Sequence, residues 1–304
     1  MIHVFIINSH AGKSKFSAGL RKYLSQNYPN LNYYIFHTRK ALDERSLVKE
    51  ILELFGNERI RIYCCGGSGT ISNAIYGVED FSNIEFAFYP KGFTNDFLKC
   101  FGKDEAYFHD ISNLIEGRVI QVDYIKTNHG NSLNSFSIGL DSEQLTKMDH
   151  FRDISVIGSN APYIMGFIFA VFFSRPEELE ITIDDTVING RTSELFFGNG
   201  GVIGGKLWFD TKPSFNDGLG RIVVFNTLKP FTMIKTLLAL SNKEKLKPEL
   251  VRYDGYAKKV SVKKSDGSPF IMNFDGELQN QQVEWNAEII TQGLSFVLPK
   301  GVEL

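Results

Sequence analysis

Cysteine, clustered basic charge and long apolar segments are all scarce in this sequence. Its 304 residues include three cysteines, Cys64, Cys65 and Cys100, and its six histidines are scattered. An odd count without metal-ligand spacing argues against a disulfide framework and against structural zinc. The formal net charge is −2 and no basic run stands out. We therefore expect no nucleic-acid partner, because phosphate contacts need clustered lysine and arginine.

The densest apolar stretch, residues 161–174, is too short to cross a bilayer, since a spanning helix needs roughly 20 apolar residues. Two interpretations stay open for it: a buried helix, or an apolar surface that meets lipid or a partner. Residues 1–7 carry no basic leader and are predicted to form a buried strand rather than a signal peptide. The expected location is the cytoplasm, with peripheral contact at the inner membrane face left open.

Short apolar runs alternate with amphipathic segments over the first third of the chain. The pattern predicts strands at residues 4–7, 33–37, 62–65 and 86–89, and helices at residues 15–26 and 47–55 and from near Thr70 and Thr94. Such alternation is typical of a parallel sheet with helices on both faces. Ligands of such sheets lie at the carboxyl ends of the strands, where Asn8 and Thr38 are expected.

The apolar period changes to two from about residue 122. Apolar and polar side chains alternate over residues 179–183 and 260–262. Turn signals that end in glycine recur at residues 129–130, 217–218, 266–267 and 275–276. These patterns indicate a mainly antiparallel β-sandwich.

Two domains follow from that change of period. We predict an α/β nucleotide-binding domain with a doubly wound parallel sheet at residues 1–121, and a β-sandwich domain at residues 122–304. The expected fold class is therefore α/β plus β. A return of the last residues to the first domain stays open. Two domains that face one another create a cleft, which is the usual place for a ligand.

A glycine-rich turn joins the third predicted strand to the next helix. Residues 61–77 place an apolar run before Gly66, Gly67 and Gly69, and helix-like spacing begins at Thr70. Such a turn directs several backbone N–H groups one way, and the helix dipole adds partial positive charge there. The predicted guest is a phosphate. A purely steric role for the glycines stays open.

Three further polar segments have ordinary explanations when each is taken alone. Asn95 and Asp96 place an amide and a carboxylate at a predicted helix start, which is typical of helix capping. The Asp-Gly pairs at residues 217–218 and 275–276 are typical of hairpin turns.

Taken together and in order, these segments resemble the catalytic family of diacylglycerol kinases, which includes bacterial lipid kinases, sphingosine kinases and ceramide kinases. That family carries an N-P-x-x-G segment, a GGDGT loop, a P-x-G-T-x-N-D-F segment, a D-G-L and a D-G-E. The corresponding segments of this chain are residues 8–12, 66–70, 90–97, 217–219 and 275–277. The resemblance therefore covers nearly the whole chain.

The resemblance implies a nucleotide domain followed by a β-sandwich lipid domain, with the active site in the cleft. It implies transfer of the γ-phosphate of ATP to a lipid hydroxyl with Mg²⁺, a reaction that depends on positioning and charge neutralisation. The residues that it assigns to nucleotide contact are Asn8, Thr38, Gly66, Gly67, Ser68, Gly69, Thr70 and Asn95.

The resemblance also assigns four carboxylates. Asp275 is the predicted base, with Glu277 beside it, and Asp96 is predicted to order the cleft. Asp217 is the predicted magnesium ligand, at a place that the family uses for a structural ion. The implied partner is a lipid at the membrane surface, and a homodimer stays open.

Four positions depart from the family pattern. Ser68 replaces the loop aspartate and Asn73 the glutamate that follows it. Phe93 replaces a threonine, and residues 220–221 replace the aspartate that often closes the D-G-L segment. A serine hydroxyl is neutral at pH 7 and does not replace a carboxylate as a base or as a charged magnesium ligand.

Two functions therefore stay open at this point. One is an ATP-dependent lipid kinase that relies on Asp275 and Glu277; the other is a catalytically weak relative that binds a nucleotide, a lipid or both. NAD kinases share the glycine loop and are a third possibility. That family is not expected to carry the N-D-F segment and the late D-G-E in this order.

Overall fold

Two large β-sheets organise the chain. A computed structural model describes residues 1–9, 15–56, 58–92, 95–140, 142, 170–173 and 175–303. Within these residues the strands form a ten-stranded mixed sheet, a six-stranded antiparallel sheet and a two-stranded pair. The expected fold class, α/β plus β, is confirmed.

Strands and helices alternate through the first part of the chain. The elements are β1 Ile2–Ile7, α1 Lys15–Asn27, β2 Tyr33–His37, α2 Asp43–Phe55, β3 Ile60–Gly66, α3 Ser68–Ile75, β4 Ile84–Pro90, α4 Asp96–Lys99, a 3₁₀ helix Gly102–His109 and α5 Ile111–Ile115. The predicted order of strands and helices is confirmed. β1, β3 and β4 are buried almost throughout, as their continuous apolar runs predict.

One helix begins earlier than the apolar period predicts. α2 starts at Asp43, whereas the predicted helix starts at Leu47. Asp43 and Glu44 occupy its first turn, where carboxylates stabilise the positive end of the helix dipole. The apolar period begins only after this turn, so periodicity alone does not reveal it.

Strands dominate the remainder of the chain. The elements are β5 Arg118–Thr127, β6 Asn131–Ser132, β7 Ser135–Gly139, β8 Glu177–Ile183, β9 Thr186–Thr192, β10 Glu194–Gly198, β11 Val202–Ile203, β12 Leu207–Trp208, β13 Gly220–Phe225, α6 Pro230–Ser241, a 3₁₀ turn Pro248–Leu250, β14 Val251–Ala257, β15 Lys259–Lys264, β16 Phe270–Phe274, β17 Glu277–Gln282 and β18 Glu284–Leu298. The domain boundary between residues 121 and 122 stays a prediction; it falls within β5.

The ten-stranded sheet joins a parallel half to an antiparallel half through β18. In the parallel half the order is β2-β1-β3-β4. β18 pairs in parallel with β4, where Phe296 lies opposite Phe86. Earlier residues of β18 pair antiparallel with β15, where Trp285 lies opposite Val262. This one strand therefore fixes the two halves relative to one another.

The six-stranded sheet packs on the antiparallel half of the large sheet. Its order is β14-β13-β10-β7-β16-β17. Side chains of both sheets form one apolar core, in which Trp285 is fully buried against Phe136 and Phe274. Apolar side chains of residues 179–183 and 260–262 belong to the same core. The predicted antiparallel β-sandwich is confirmed.

Most of the apolar stretch at residues 161–174 lies outside the described residues. Its described part, residues 170–173, is helical. Ala170 and Val171 are buried, whereas Phe172 and Phe173 are exposed. Among the described helices, none is both long enough and apolar enough to cross a membrane.

A buried carboxylate links β5 to a turn and to β18 of the second half. Asp123 is fully buried, and its Oδ2 accepts a hydrogen bond of 2.7 Å from the backbone N–H of Gly218. Its Oδ1 accepts a bond of 2.7 Å from the backbone N–H of Gln292. Burial raises the pKa of this carboxyl group, while the two backbone donors oppose that shift. Asp123 therefore holds the 217–218 turn against β18.

We predict that Asp123→Ala lowers the free energy of unfolding by about 2–4 kcal/mol, because two backbone donors lose their acceptor. The matched control is Asp266→Ala, which removes an exposed turn carboxylate that accepts from the N–H of Ser268 and should cost less than about 1 kcal/mol. Urea unfolding measures both variants. Equal losses would contradict the assigned role of Asp123.

Candidate active site

Glycines let the two central motifs touch through their backbones. β3 ends at Gly66, whose carbonyl oxygen accepts hydrogen bonds from the N–H groups of Lys91 (2.7 Å) and Gly92 (3.1 Å). A Cβ atom on Gly92 would lie 2.3 Å from the Cα of Gly67, and one on Gly66 would lie 2.0 Å from Thr70 Oγ1. The steric role that the sequence leaves open therefore holds for Gly66 and Gly92.

The N-terminus of α3 lies directly behind this turn. Gly67 is the N-cap residue and is extended, with φ −97° and ψ −170°, and it has no side chain with which to cap the helix. First-turn N–H groups and the helix dipole together favour an anion at such a position. A Cβ atom on Gly69 would meet only side-chain atoms, with Glu277 Oε1 at 3.0 Å.

Asn8 connects the end of β1 to this helix. Its Nδ2 donates to Thr70 Oγ1 at 3.1 Å and to Glu44 Oε1 at 3.1 Å. The backbone N–H of Asn8 donates to the carbonyl oxygen of Cys65 at 3.1 Å. Asn8, Thr70 and Glu44 thus form a cluster around the glycine turn.

Glu44 is a member of the site that the sequence analysis missed. It is 3% exposed. Burial raises the pKa of its carboxyl group; the hydrogen bonds from Thr70 and Asn8 oppose that shift, and the negative charge of Glu277 adds to it. An acidic residue directly before an apolar helix period was the available signal. That signal also fits an ordinary helix start.

Thr38 holds the segment that follows β1. Its Oγ1 accepts a 3.1 Å hydrogen bond from the N–H of Ser9, and its carbonyl oxygen accepts a 2.7 Å bond from Ser9 Oγ. Thr38 is buried. It therefore lies at the same sheet edge as Asn8 and acts on the site through Ser9.

Ser68 and Asp96 link the glycine turn to the second half of the chain. Ser68 Oγ accepts a 3.0 Å hydrogen bond from the backbone N–H of Asp96. The Asp96 carboxylate accepts from the N–H groups of Gly204 (3.0 Å) and Gly205 (2.6 Å). Both glycines have positive φ angles, which glycine adopts without strain. Asp96 thereby fixes the turn between β11 and β12 against α4.

Asn95 is buried beside this link. Its Nδ2 lies 3.5 Å from the carbonyl oxygen of Gly92, a long and weak hydrogen bond. Its Oδ1 is buried and, within the described part of the chain, has no hydrogen-bond partner. A buried amide oxygen of this kind suits a donor from a ligand or a water molecule.

Asp275 occupies a tight hairpin turn, as the Asp-Gly signal predicts. Asp275 (φ 51°) and Gly276 (φ 88°) connect β16 to β17 in two residues, with the positive φ pair of a type I′ turn. The Asp275 carboxylate is buried and points inward. It accepts from Ser132 Oγ at 2.6 Å, from the N–H of Leu133 at 3.1 Å and from the N–H of Ser135 at 2.7 Å.

The environment of Asp275 acts on its pKa in two directions. Burial raises the pKa of the carboxyl group, and the hydrogen bonds from Ser132, Ser135 and Ser72 oppose that shift. Ser72 belongs to α3. The hairpin therefore packs against α3. As a result Glu277, the first residue of β17, lies beside Gly69 at the N-terminus of this helix.

Asp217 lies in a different setting. It is exposed, and its Oδ1 accepts a 3.0 Å hydrogen bond from the N–H of Leu219. Its negative charge contributes to raising the pKa of Asp123. Among the described residues, no group of three or more His, Cys, Asp or Glu side chains could hold a metal ion. The role of Asp217 as a metal ligand stays a prediction.

Two of the residues that depart from the family pattern, Asn73 and Arg221, form polar contacts with neighbouring side chains. Asn73 Oδ1 accepts a 2.8 Å hydrogen bond from Arg45 Nε, and the Arg45 guanidinium lies 3.5 Å from the centre of the Tyr76 ring. Arg221 forms an ion pair with Asp254 on the neighbouring strand β14. Phe93 lies outside the described residues.

A cavity of about 830 Å³ lies apart from the glycine turn. Its walls come from the 3₁₀ helix, β5 and the segment before Asp217, with Phe101, Arg118 and Phe215 among them. None of its described lining residues belongs to the predicted site. The nucleotide residues predicted from the sequence therefore do not line this cavity.

We predict that Gly92→Ala costs about 1–3 kcal/mol of stability, because the new Cβ would strike the backbone of Gly67. Gly77→Ala is the matched control, since a Cβ there has nothing within 4 Å, and its effect should lie within about 1 kcal/mol. Chemical unfolding of both variants measures the difference. A Gly92→Ala protein as stable as the control would contradict the close backbone contact.

The raised pKa of Glu44 predicts a pH-dependent stability. The folded protein binds the proton of Glu44 more tightly than the unfolded chain does. The contribution of this proton to the free energy of unfolding is therefore fully present below the unfolded pKa, and it is lost as pH rises through the folded pKa. Glu44→Gln does not titrate. Its stability relative to the wild type should therefore increase between about pH 4 and about pH 8.

Urea unfolding at those two pH values tests this expectation. Glu53→Gln, which changes an exposed glutamate on the same helix, is the control and should show no such increase. The same pH dependence in both variants would contradict the assigned burial of Glu44.

Comparisons with known proteins agree with this geometry. The diacylglycerol kinase catalytic domain model matches residues 3–127. A protein of Staphylococcus haemolyticus named "Putative lipid kinase" is 28% identical over 153 residues, which cover 48% of this chain and 47% of that protein. A Staphylococcus aureus protein of the same name is 28% identical over 173 residues, or 54% of each chain. The chain thus spans about half the length of these relatives.

Solved structures match over a longer range. A Bacillus anthracis crystal structure described as "a putative diacylglycerol kinase" has a TM-score of 0.74 and 20% identity, and covers 99% of this chain and 98% of that one. A second Bacillus anthracis diacylglycerol kinase structure has a TM-score of 0.69 and 19% identity at the same coverage. At this identity the likeness concerns the fold. Over residues 3–127, the chain is similar to the diacylglycerol kinase catalytic domain family.

Proposed function

We propose that the protein is a kinase that transfers the γ-phosphoryl group of Mg-ATP to a hydroxyl group of a diacylglycerol-like lipid, in the cleft between its two halves. The similarity of residues 3–127 to a lipid-kinase catalytic domain supports the general activity. The observation that carries the proposal is the convergence of Asn8 and Glu277, from opposite ends of the chain, on the first turn of α3.

The residues around α3 fit a nucleotide phosphate. The uncapped N-terminus behind Gly67 offers backbone donors and partial positive charge. The unpartnered Oδ1 of Asn95 in the adjacent turn is an acceptor, so it suits an amino or hydroxyl group of the nucleotide or a water molecule, and not a phosphate oxygen. Bound ATP supplies the phosphoryl group; the role of the chain is to orient it and to neutralise its charge.

The residues also fit magnesium bound together with a nucleotide. Mg²⁺ is commonly held by one or two carboxylates, several waters and the phosphates of the substrate. Glu44, which lies close enough to Glu277 for the two charges to interact, would supply a carboxylate to the ion, and the carboxylate of Glu277 would serve proton transfer. This arrangement does not need a group of three protein ligands, which the described residues do not provide.

The base is better assigned to Glu277 than to Asp275, although the sequence favours Asp275. A general base needs a lone pair within reach of the attacking hydroxyl. Asp275 is buried, and fixed donors occupy both of its carboxylate oxygens. We therefore propose that Asp275 positions the hairpin and that Glu277 receives the proton.

A second function is supported by Ser68 and Asn73. Their side chains take part in local hydrogen bonds, where the family pattern has two acids. A protein that binds nucleotide or lipid with little or no transfer is therefore the alternative. For both functions we propose that the protein binds its lipid at the cytoplasmic face of a membrane.

Label transfer from γ-labelled Mg-ATP to a detergent-dispersed bacterial lipid extract tests the proposal. We expect labelled lipid with the wild type and a fall in kcat of at least about 100-fold in Glu277→Gln, since it removes the base. Asp275→Asn tests the alternative that Asp275 is the base. If Asp275 positions the hairpin instead, this variant should lower the free energy of unfolding more than Glu277→Gln does. Full activity of Glu277→Gln would contradict the base assignment.

Ser68→Asp separates the two functions. If the scaffold is a kinase limited at this position, restoring the charge should raise kcat by at least about tenfold, equivalent to about 1.4 kcal/mol of barrier. Label in this variant alone would favour the binding-protein function for the wild type. No label from either protein, with ATP binding intact by calorimetry, would contradict the kinase proposal.

A further inference from the structure

One face of α6 is apolar and open to solvent. Positions 231, 235 and 238 follow the spacing of a single helix face. Phe231 is 74% exposed and Leu238 is 60% exposed, with Lys235 exposed between them. The opposite face of the helix is buried through Met233, Thr236, Leu237 and Leu240. The helix is therefore anchored on one side and leaves large apolar side chains outside.

A second element extends this apolar face. Phe172 is 44% exposed, and its ring packs edge-to-face against Phe231 with the centroids 6.1 Å apart. Phe173, next to it, is 66% exposed. Two separate segments thus build one apolar surface, which we call the α6 face: Phe172, Phe173, Phe231 and Leu238.

The charge around the α6 face is mainly positive. Residues 229–247 contain five lysines and one acid, whereas the whole chain has a net charge of −2. All five lysines are exposed. The helix itself contains no Asp or Glu. The local excess of positive charge is therefore a property of this surface and not of the protein as a whole.

These features fit a lipid surface better than a protein partner. Lysine is depleted in protein–protein interfaces, and a second copy of this chain would bring the same positive charge against itself. Helices that lie in a membrane interface combine exposed aromatic and leucine side chains with flanking lysines, whose long stems let the ammonium group reach the headgroups. Anionic headgroups attract such lysines.

We propose that the α6 face docks the protein on a membrane that contains anionic lipid, with the aromatic side chains in the interface and the lysines on the headgroups. Docking through this surface deepens the proposed function and rests on it for the membrane, although docking itself needs neither a nucleotide nor phosphoryl transfer.

Vesicle co-sedimentation without nucleotide tests the proposal. Vesicles of phosphatidylcholine alone are compared with vesicles that contain about one third phosphatidylglycerol. We expect the wild type to bind the anionic vesicles, and to bind less at about 0.5 M salt because exposed charges are screened. Phe231→Ser with Leu238→Ser should reduce the bound fraction at least about tenfold, since two apolar side chains no longer enter the interface.

Charge is tested separately from apolar contact. Lys229→Glu with Lys235→Glu should abolish the preference for anionic vesicles. Lys22→Glu with Lys49→Glu makes the same charge change on exposed positions of α1 and α2 and should leave binding near the wild-type level. Leu54→Ser, at a residue 67% exposed on α2, is the apolar control. Thermal unfolding of each variant checks that it is folded.

Several results would overturn the proposal. They are wild-type protein that does not sediment with anionic vesicles, or a Phe231→Ser, Leu238→Ser protein that binds as the wild type does. A dimer in light scattering that this double variant dissociates, without vesicle binding, would assign the α6 face to a second copy instead. Activity toward detergent-dispersed lipid should be unchanged in this variant, so a failure of docking and a failure of the kinase proposal remain distinguishable.

Discussion

The contact between the Asp275 hairpin and α3 is the interaction on which the candidate site depends. The Asp275 carboxylate accepts hydrogen bonds from residues 132–135, which lead into β7, and from Ser72 of α3, and so fixes its turn against that helix. Because this turn is fixed, Glu277 lies beside Gly69. At the same helix, Ser68 accepts from Asp96, whose carboxylate holds Gly204 and Gly205. The carboxylates of Asp275 and Asp96 thus join both halves of the chain at one helix N-terminus.

The sequence predicts most of this fold, but only part of the site. The predicted strand at residues 33–37 coincides with β2, since continuous apolar runs and alternating periods report burial directly. Glu44 could not be found in this way, because its burial depends on contacts with Asn8 and Thr70 from distant parts of the chain. The inward direction of the Asp275 carboxylate likewise follows from tertiary packing, whereas its Asp-Gly signal specifies only the turn.

The departures from the family pattern change the chemistry more than the scaffold. Ser68 still accepts a hydrogen bond from the segment that carries Asp96, and so preserves the link between the two motifs without the negative charge. Glu44 is a buried carboxylate on the other side of Asn8. The site therefore keeps acidic groups near the N-terminus of α3, in Glu44 and Glu277. This arrangement is compatible with phosphoryl transfer and with simple nucleotide binding.

We propose that both halves of the chain form one nucleotide site at the N-terminus of α3. Hydrogen–deuterium exchange with and without Mg-ATP tests this most directly, because the exchange rates report on backbone amides in each half separately. We expect slower exchange on addition of Mg-ATP in peptides that cover residues 66–72 and also in peptides that cover residues 273–279. Protection confined to one half, or no protection at either segment, would contradict it.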